Sequence, residues 1–115
     1  MFNFLLDAGN YEARKVANYG REEGLPFEVD TAACSDGEHP YETGIKHPEY
    51  NDGEWVIVEA YDSRGEAEDG HGRWVATMTA ETLPEELVDC LNAELGAFYG
   101  AVGGDVRYPR KPVSA

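Results

Sequence analysis

The chain has 115 residues, of which 42% are hydrophobic and 28% charged, a composition typical of one globular domain that buries its own core. Its 23 acidic and 9 basic side chains give a formal net charge of -14, which disfavours attraction to nucleic acid or to an anionic membrane surface. The chain contains no run of about 18 apolar residues, so we expect no membrane-spanning helix.

The first predicted elements are two strands. Residues 14–19 fit either a short helix or a strand, and we favour the strand because Gly20 and Gly24 bracket a hairpin-like gap after it. In residues 27–33, apolar and polar side chains alternate with the period of a half-exposed strand.

A second pair of strands is predicted around Asn51, Asp52 and Gly53, residue types that tolerate the positive φ of tight turns. Residues 54–61 carry the strongest strand pattern, with apolar side chains at most positions of both faces. Residues 41–46 are the expected antiparallel partner. We assign Trp55 a structural role in the core.

The predicted helix that follows begins at Ser63, because Ser63 and Glu66 have the spacing of a capping box. Positions 67, 71, 74, 75 and 78 form one inward stripe at helical spacing. His71 and Trp74 lie on this stripe, so both are assigned structural roles.

Two glycines flank the histidine of this helix. We expect Gly70 to let the helix approach a strand closely, and His71 to form a hydrogen bond with a buried group. Gly72 falls on the outer side, where packing within the monomer gives no reason for a glycine. That position therefore indicates a place where a partner could bind.

A second helix is predicted to begin near Pro84, which is tolerated in a first turn, and to stop at Gly96. Residues 97–115 are predicted to be an irregular, basic tail rich in glycine and proline, which leaves residues 1–96 as one domain. The predicted fold class is α+β: an antiparallel sheet of three to five strands with two helices packed on one face.

Charge is distributed unevenly along the chain. Residues 22–63 contain twelve acids and one base, Lys46, whereas the tail is basic. The acidic segment is either a solvated face or the binding face for a basic partner, and in the second case it could mimic DNA.

The tail could dock on a partner or on the acidic sheet of the protein itself. The candidate partner-binding residues are Tyr41, Glu42, His47, Tyr50, Arg107 and Tyr108.

No catalytic or cofactor motif is recognisable. Cys34 and Cys90 lack the spacing of a redox or zinc pair, so we expect two reduced thiols, with a single disulfide as the alternative. His39 and His47, with nearby acids, could form a metal site, but their spacing matches no closed zinc module and His-Pro is simpler as turn chemistry. We therefore predict no catalytic residue, no metal ligand and no cofactor.

The order of motifs in the middle of the chain resembles a group of small uncharacterised phage and prophage proteins. The resemblance covers roughly residues 30–80 and implies a viral or mobile-element origin without a mechanism. The residues that carry it are Tyr41-Glu42-Thr43, His47-Pro48, the segment from Trp55 to Glu59, Tyr61-Asp62, Ala67, Gly70-His71 and Trp74-Val75.

From these observations we expect a noncatalytic, acidic protein-interaction module, either a virion accessory component or a modulator of a host protein. Its partner would be a protein, with no direct binding to nucleic acid or membrane, and its location would be the host cytoplasm or the virion. Two alternatives remain: a DNA-mimicking inhibitor of a nucleic-acid-binding defence or regulatory protein, and a metal-dependent hydrolase.

Overall fold

The computed structural model describes residues 14–34, 40–90 and 106–112, which form an α+β arrangement. The long helix in these segments does not have the length and apolarity needed to cross a membrane. The elements, in chain order, are β1 (Lys15–Tyr19), β2 (Glu28–Ala33), β3 (Tyr41–Lys46), β4 (Val56–Tyr61), α1 (Arg64–Met78), β5 (Glu86–Asp89) and β6 (Val106–Pro109).

Strands β1 to β4 form one antiparallel sheet in chain order, and β5 and β6 form a second, two-stranded sheet. The predicted antiparallel sheet is therefore confirmed, and residues 14–19 are largely strand. The register places Thr31 opposite Thr43, and Thr43 opposite Glu59. Because directly opposite residues share a face, these three side chains form a row across β2, β3 and β4.

Strand β4 contains a bulge, because its register against β3 shifts between Thr43 and Gly44. Val58 is the extra residue, and it interrupts the alternation of side chains. Val56 lies in the core that α1 covers, and Glu59 accepts a hydrogen bond from α1. Both residues therefore face the helix although they are three positions apart.

The β3–β4 turn has a left-handed backbone at three successive residues. Asn51, Asp52 and Gly53 have φ values of 51°, 53° and 84°. Asparagine, aspartate and glycine adopt this conformation at the lowest cost among the amino acids. The local conformational preferences of these three residues therefore favour this turn.

The main core lies between α1 and one face of the large sheet. Ser63 caps the helix by accepting the backbone N–H of Glu66 at 3.2 Å, as the capping box predicts. Tyr50, from the β3–β4 turn, is 1% exposed and joins this core. Its fully buried members are Val29, Ile45, Tyr50, Val56, Met78 and Leu87.

The predicted second helix is wrong at its start, because Glu86–Asp89 is strand β5. Leu87 and Asp89 are buried while Glu86 and Val88 are partly exposed, which is the period of a strand. The adjacent apolar residues Leu87 and Val88 are compatible with either a helix or a strand. The segment is a strand because its hydrogen bonds are formed with β6, which is remote in sequence.

The predicted irregular tail is also wrong where the structure describes it, because Val106–Pro109 is strand β6. Tyr108 packs against the main core, so this strand is attached to the domain. Residues 91–105 and 113–115, which include the predicted end of the second helix and most of the tail, lie outside the described residues.

Helix α1 contacts the sheet most closely at Gly70, where a Cβ atom would overlap the phenol ring of Tyr61. At Gly72, no described atom lies within 4 Å of the equivalent position. Neither glycine has a positive φ. The two positions therefore differ in their surroundings and not in their backbone conformation.

Substitution of these two glycines by alanine is expected to change stability in opposite directions. Gly70→Ala should lower the free energy of unfolding by about 1–3 kcal/mol, the usual cost of overpacking a core. Gly72→Ala should raise it by about 0.5–1 kcal/mol through helix propensity. Urea unfolding followed by circular dichroism measures both, and a Gly70→Ala protein as stable as the wild type would contradict the close approach.

Candidate functional site

Helix α1 covers a line of buried hydroxyl groups on the large sheet. The Oγ1 atoms of Thr31 and Thr43, which face each other in the register, lie 2.6 Å apart. Thr43 Oγ1 is 2.9 Å from the Oη of Tyr61, and Thr31 Oγ1 is 2.8 Å from Nδ1 of His71. A continuous chain of hydrogen bonds therefore runs from the helix, across β2 and β3, to β4.

The chain of hydrogen bonds ends at the carboxylate of Glu59. Oε1 of this residue accepts from Tyr61 Oη at 3.1 Å, from Trp74 Nε1 at 2.8 Å and from Arg73 Nη2 at 3.2 Å. Partial burial by itself raises the pKa of Glu59, but these three donors outweigh burial and lower the pKa below its ordinary value. Glu59 is therefore ionised at neutral pH and can only accept.

This acceptor determines the direction of every hydrogen bond in the chain, because each hydroxyl has a single hydrogen. The hydrogen of Tyr61 is used on Glu59, so Thr43 must donate to Tyr61. Thr31 must then donate to Thr43. Because Thr31 has no second hydrogen, its contact with His71 is a hydrogen bond only when His71 donates from Nδ1 to Thr31. Neutral His71 is therefore the Nδ1–H tautomer, with its lone pair on Nε2.

Burial moves the pKa values of His71 and Tyr61, the two members of the hydrogen-bond chain that have rings, away from neutral pH. It lowers the pKa of His71 below its ordinary value of 6.5, and it raises the pKa of Tyr61 to about 12. At pH 7 both groups are neutral. The network is therefore a fixed, directional connection between α1 and the sheet.

A second buried histidine, His47, lies at the start of the β3–β4 turn and is 7% exposed. Its Nδ1 accepts the backbone N–H of Glu49 at 3.1 Å, so neutral His47 is the Nε2–H tautomer. Its ring centroid is 5.4 Å from that of Phe27 and 5.3 Å from that of Tyr50. Burial lowers the pKa of His47; Glu49 opposes this shift and Arg110 adds to it.

The β3–β4 turn is attached to the small sheet on both sides. Tyr50 Oη donates to the carbonyl of Pro84, just before β5, at 2.5 Å. Just after β6, Lys111 donates its backbone N–H to the carbonyl of Glu49 at 2.7 Å. Arg110 Nε donates to Glu49 Oε1 at 2.6 Å. Part of the basic tail therefore docks on the acidic surface of its own chain.

The candidate partner-binding residues do not form one exposed patch. Glu42, His47 and Tyr50 are 6%, 7% and 1% exposed, so a partner would reach them only after a change of conformation. Tyr41 and Tyr108 are half-buried.

Arg107, the sixth candidate, is exposed and forms an ion pair with Glu86 on the neighbouring strand β5. A partner role therefore stays a prediction for Tyr41, Arg107 and Tyr108, the candidates with some exposed surface.

The four residues assigned structural roles all contact the large sheet or its turn. Gly70 lies against Tyr61, His71 donates to Thr31, and Trp74 donates to Glu59. The Trp55 ring lies on Gly44 of β3, where a Cβ would be 3.2 Å from the ring carbon Cε3.

Sequence reasoning did not identify Glu59, Thr31, Thr43 and Tyr61 as one network. The signal was present, since each of them is a polar residue inside a strand with a buried face. Pairing β2, β3 and β4 in register would have placed these side chains on one face.

The acidic segment is less available as a surface than its composition suggests. At least six of its twelve carboxylates are bonded within the protein, to a backbone N–H, a basic side chain or a neutral donor. These are Glu23 with the backbone of Gly20, Glu28 with Arg21, Asp30 with Asn18, Glu42 with Cys34, Glu49 with Arg110, and Glu59 with Arg73.

Neither Cys34 nor Cys90 forms a disulfide, in agreement with the expected reduced thiols. Among the described residues, no group of three or more His, Cys, Asp or Glu side chains could hold a metal ion. His39, half of the alternative metal site, lies outside those residues.

Comparison with protein families, with curated proteins and with solved structures found no match.

The two histidines are expected to have opposite tautomers, which nitrogen NMR of ¹⁵N-labelled protein at pH 7.5 distinguishes. His71 should carry its hydrogen on Nδ1, and His47 should carry it on Nε2. Tyr61→Phe removes the hydroxyl that imposes direction, so it should mix the tautomers of His71 and leave His47 unchanged. A His71 with the Nε2–H tautomer in the wild type would disprove the directional chain.

Proposed function

We propose that the protein is a noncatalytic, acidic protein-interaction module whose partner binds the outer face of helix α1. The resemblance to phage proteins suggests its origin, as a virion accessory component or a modulator of a host protein. The observation that carries the proposal is the unusual composition of that helix face.

The outermost line of α1 consists of Gly65, Asp69, Gly72 and Ala76, whose spacings of 4, 3 and 4 place them on one side of the helix. All four are exposed. Three of them have no side chain beyond Cβ, and no described atom lies within 4 Å of a Cβ built at either glycine. We call these four residues the bare strip.

The glycines of the bare strip lower the stability of the helix, and no contact within the described part of the protein offsets this loss. Of Gly65 and Gly72, the second lies in the interior of the helix, where glycine costs about 0.5–1 kcal/mol relative to alanine. Neither has a positive φ or a close neighbour that requires glycine. Outer helix positions usually carry long polar side chains, so their absence favours a surface that another backbone approaches closely.

Charged residues beside the bare strip favour a basic partner. Glu66 and Glu68 are exposed on its two sides, and Asp69 lies within it. Arg64 is 3.5 Å from Glu68, but the two side chains are 56% and 58% exposed. Such a pair contributes about 0–1 kcal/mol, so a cation of the partner can replace Arg64 at little cost.

The two alternative functions have weaker support. DNA mimicry needs a regular array of exposed carboxylates, and at least six carboxylates of the acidic segment are bonded within the protein. A metal-dependent hydrolase would use His39, which lies outside the described residues, and His47, whose Nδ1 already accepts a backbone N–H.

A partner captured by the immobilised protein from infected host cells is expected to bind less tightly to Gly72→Gln. This substitution fills the bare strip and also favours the helix, so lost binding cannot come from lost folding. We expect Kd to rise at least about tenfold, which corresponds to about 1.4 kcal/mol. Isothermal titration calorimetry with the purified partner measures the change.

The matched control is Ala80→Gln, which adds the same side chain at an exposed position just beyond α1. It should bind as the wild type does, and added salt should weaken binding in both proteins because the partner is basic. Equal affinity of the wild type and Gly72→Gln would refute the role of the bare strip. Displacement of DNA from a captured DNA-binding protein would favour mimicry instead.

A further inference from the structure

Residues 47–50, the part of the β3–β4 turn that precedes Asn51, are the point at which the large sheet is hydrogen-bonded to segments on both sides of the small sheet. Tyr50 bonds to Pro84 before β5, and Glu49 bonds to Arg110 and Lys111 after β6. We call Arg110 and Lys111 the C-terminal arm. The conformation of this turn therefore decides whether the arm stays docked.

The hydrogen bond within the turn cannot survive protonation of His47. Neutral His47 accepts the N–H of Glu49 at Nδ1, so an added proton must go to that same nitrogen. The result is two N–H groups that face each other at a buried site. Either the ring must rotate out or the peptide of Glu49 must turn away, and that residue holds the arm.

The groups around His47 in the described part of the chain do not offset this loss. The charged groups that face the ring are Glu49 and Arg110. The carboxylate of Glu49 attracts a protonated ring, but it is already bonded to Arg110, which repels the ring. Phe27 and Tyr50 pack against the ring from the other sides and bring no countercharge at neutral pH.

His71 provides an internal contrast. Its Nδ1 already carries a hydrogen and donates to Thr31, so protonation occurs at Nε2 and leaves that hydrogen bond intact. Its hydrogen-bond partner is in the large sheet, away from the turn. The two buried histidines therefore respond to acid in different ways.

We propose that His47 is an acid-sensitive latch, whose protonation undocks the C-terminal arm from the β3–β4 turn while β5 and β6 stay paired. This device is independent of the bare strip on α1. Leu87 and Tyr108 continue to hold the small sheet on the core, because both residues pack in it through their own side chains. Undocking releases the Arg110 side chain from the carboxylate of Glu49 and breaks the backbone hydrogen bond between Lys111 and Glu49.

The direction of the pH dependence follows from the titration of the buried ring. Burial holds the pKa of His47 below its ordinary value of 6.5, so an exposed His47 binds protons more tightly than a docked one. The docked state is favoured above pH 6.5 and loses stability as the pH falls from 6.5 towards the lowered pKa. For one proton, the ratio of undocked to docked molecules rises by at most about tenfold per pH unit.

Amide hydrogen exchange between pH 7.5 and 5.5, corrected for the intrinsic pH dependence of exchange, tests the latch with two neighbouring amides. Lys111 N–H bonds to Glu49 across the latch, whereas Arg110 N–H bonds to the carbonyl of Glu85, the residue before β5. In the wild type, protection of Lys111 should fall by about three- to tenfold per pH unit below 6.5. Protection of Arg110 should not change.

His47→Asn is the matched variant, because an asparagine side chain can accept the N–H two residues ahead and does not titrate. Its Lys111 amide should keep constant protection over the same pH range. His71→Gln should behave as the wild type does at Lys111. Loss of protection at Arg110 and across β1 to β4 to the same extent as at Lys111 would mean general acid unfolding and would overturn the latch.

The wild type alone decides the question if His47→Asn does not fold. The midpoint of the ring titration of His47, followed by proton–carbon NMR, should coincide with the midpoint of the loss of Lys111 protection. A titration of His47 that leaves Lys111 protected also overturns the proposal.

Discussion

The ionised carboxylate of Glu59 is the constraint on which the interior between helix and sheet depends. It can accept hydrogen bonds and cannot donate them, so it orders the hydroxyls of Tyr61, Thr43 and Thr31 in one direction and selects a single tautomer of His71. A buried row of hydroxyls without such an end would have two equivalent hydrogen arrangements. The negative charge of Glu59 therefore leaves a single arrangement of hydrogens along this row of hydrogen bonds.

Features that depend on local physical chemistry could be predicted from the sequence. The turn at Asn51–Gly53 and the capping box at Ser63 use residue types whose own side chains or backbone preferences favour those conformations. The strand at residues 54–61 could be recognised because its apolar residues fall on both faces, which is typical of a central strand. The inward direction of His71 also followed from helical spacing alone.

Features that depend on remote segments could not be predicted in the same way. Glu86–Asp89 carries an apolar pair that suits a helix as well as a strand, and only its pairing with Val106–Pro109 makes it extended. Two of the partners of Glu59, Arg73 and Trp74, come from α1, so their proximity requires the position of the helix on the sheet. Burial of Tyr50 and His47 likewise arises because the arm and Pro84 close over the turn.

The bulge at Val58 has a consequence for how this chain can vary over evolutionary time. It lets one strand present an apolar residue, Val56, and a charged one, Glu59, to the same helix. Adding one more residue between them would turn either Val56 or Glu59 to the opposite face, whereas deleting Val58 would remove the bulge and leave both side chains towards the helix. Descendant sequences can therefore lose one residue in this segment more easily than they can gain one, so a relative with a single residue between the apolar and the acidic position would keep the same pair of side chains under the helix.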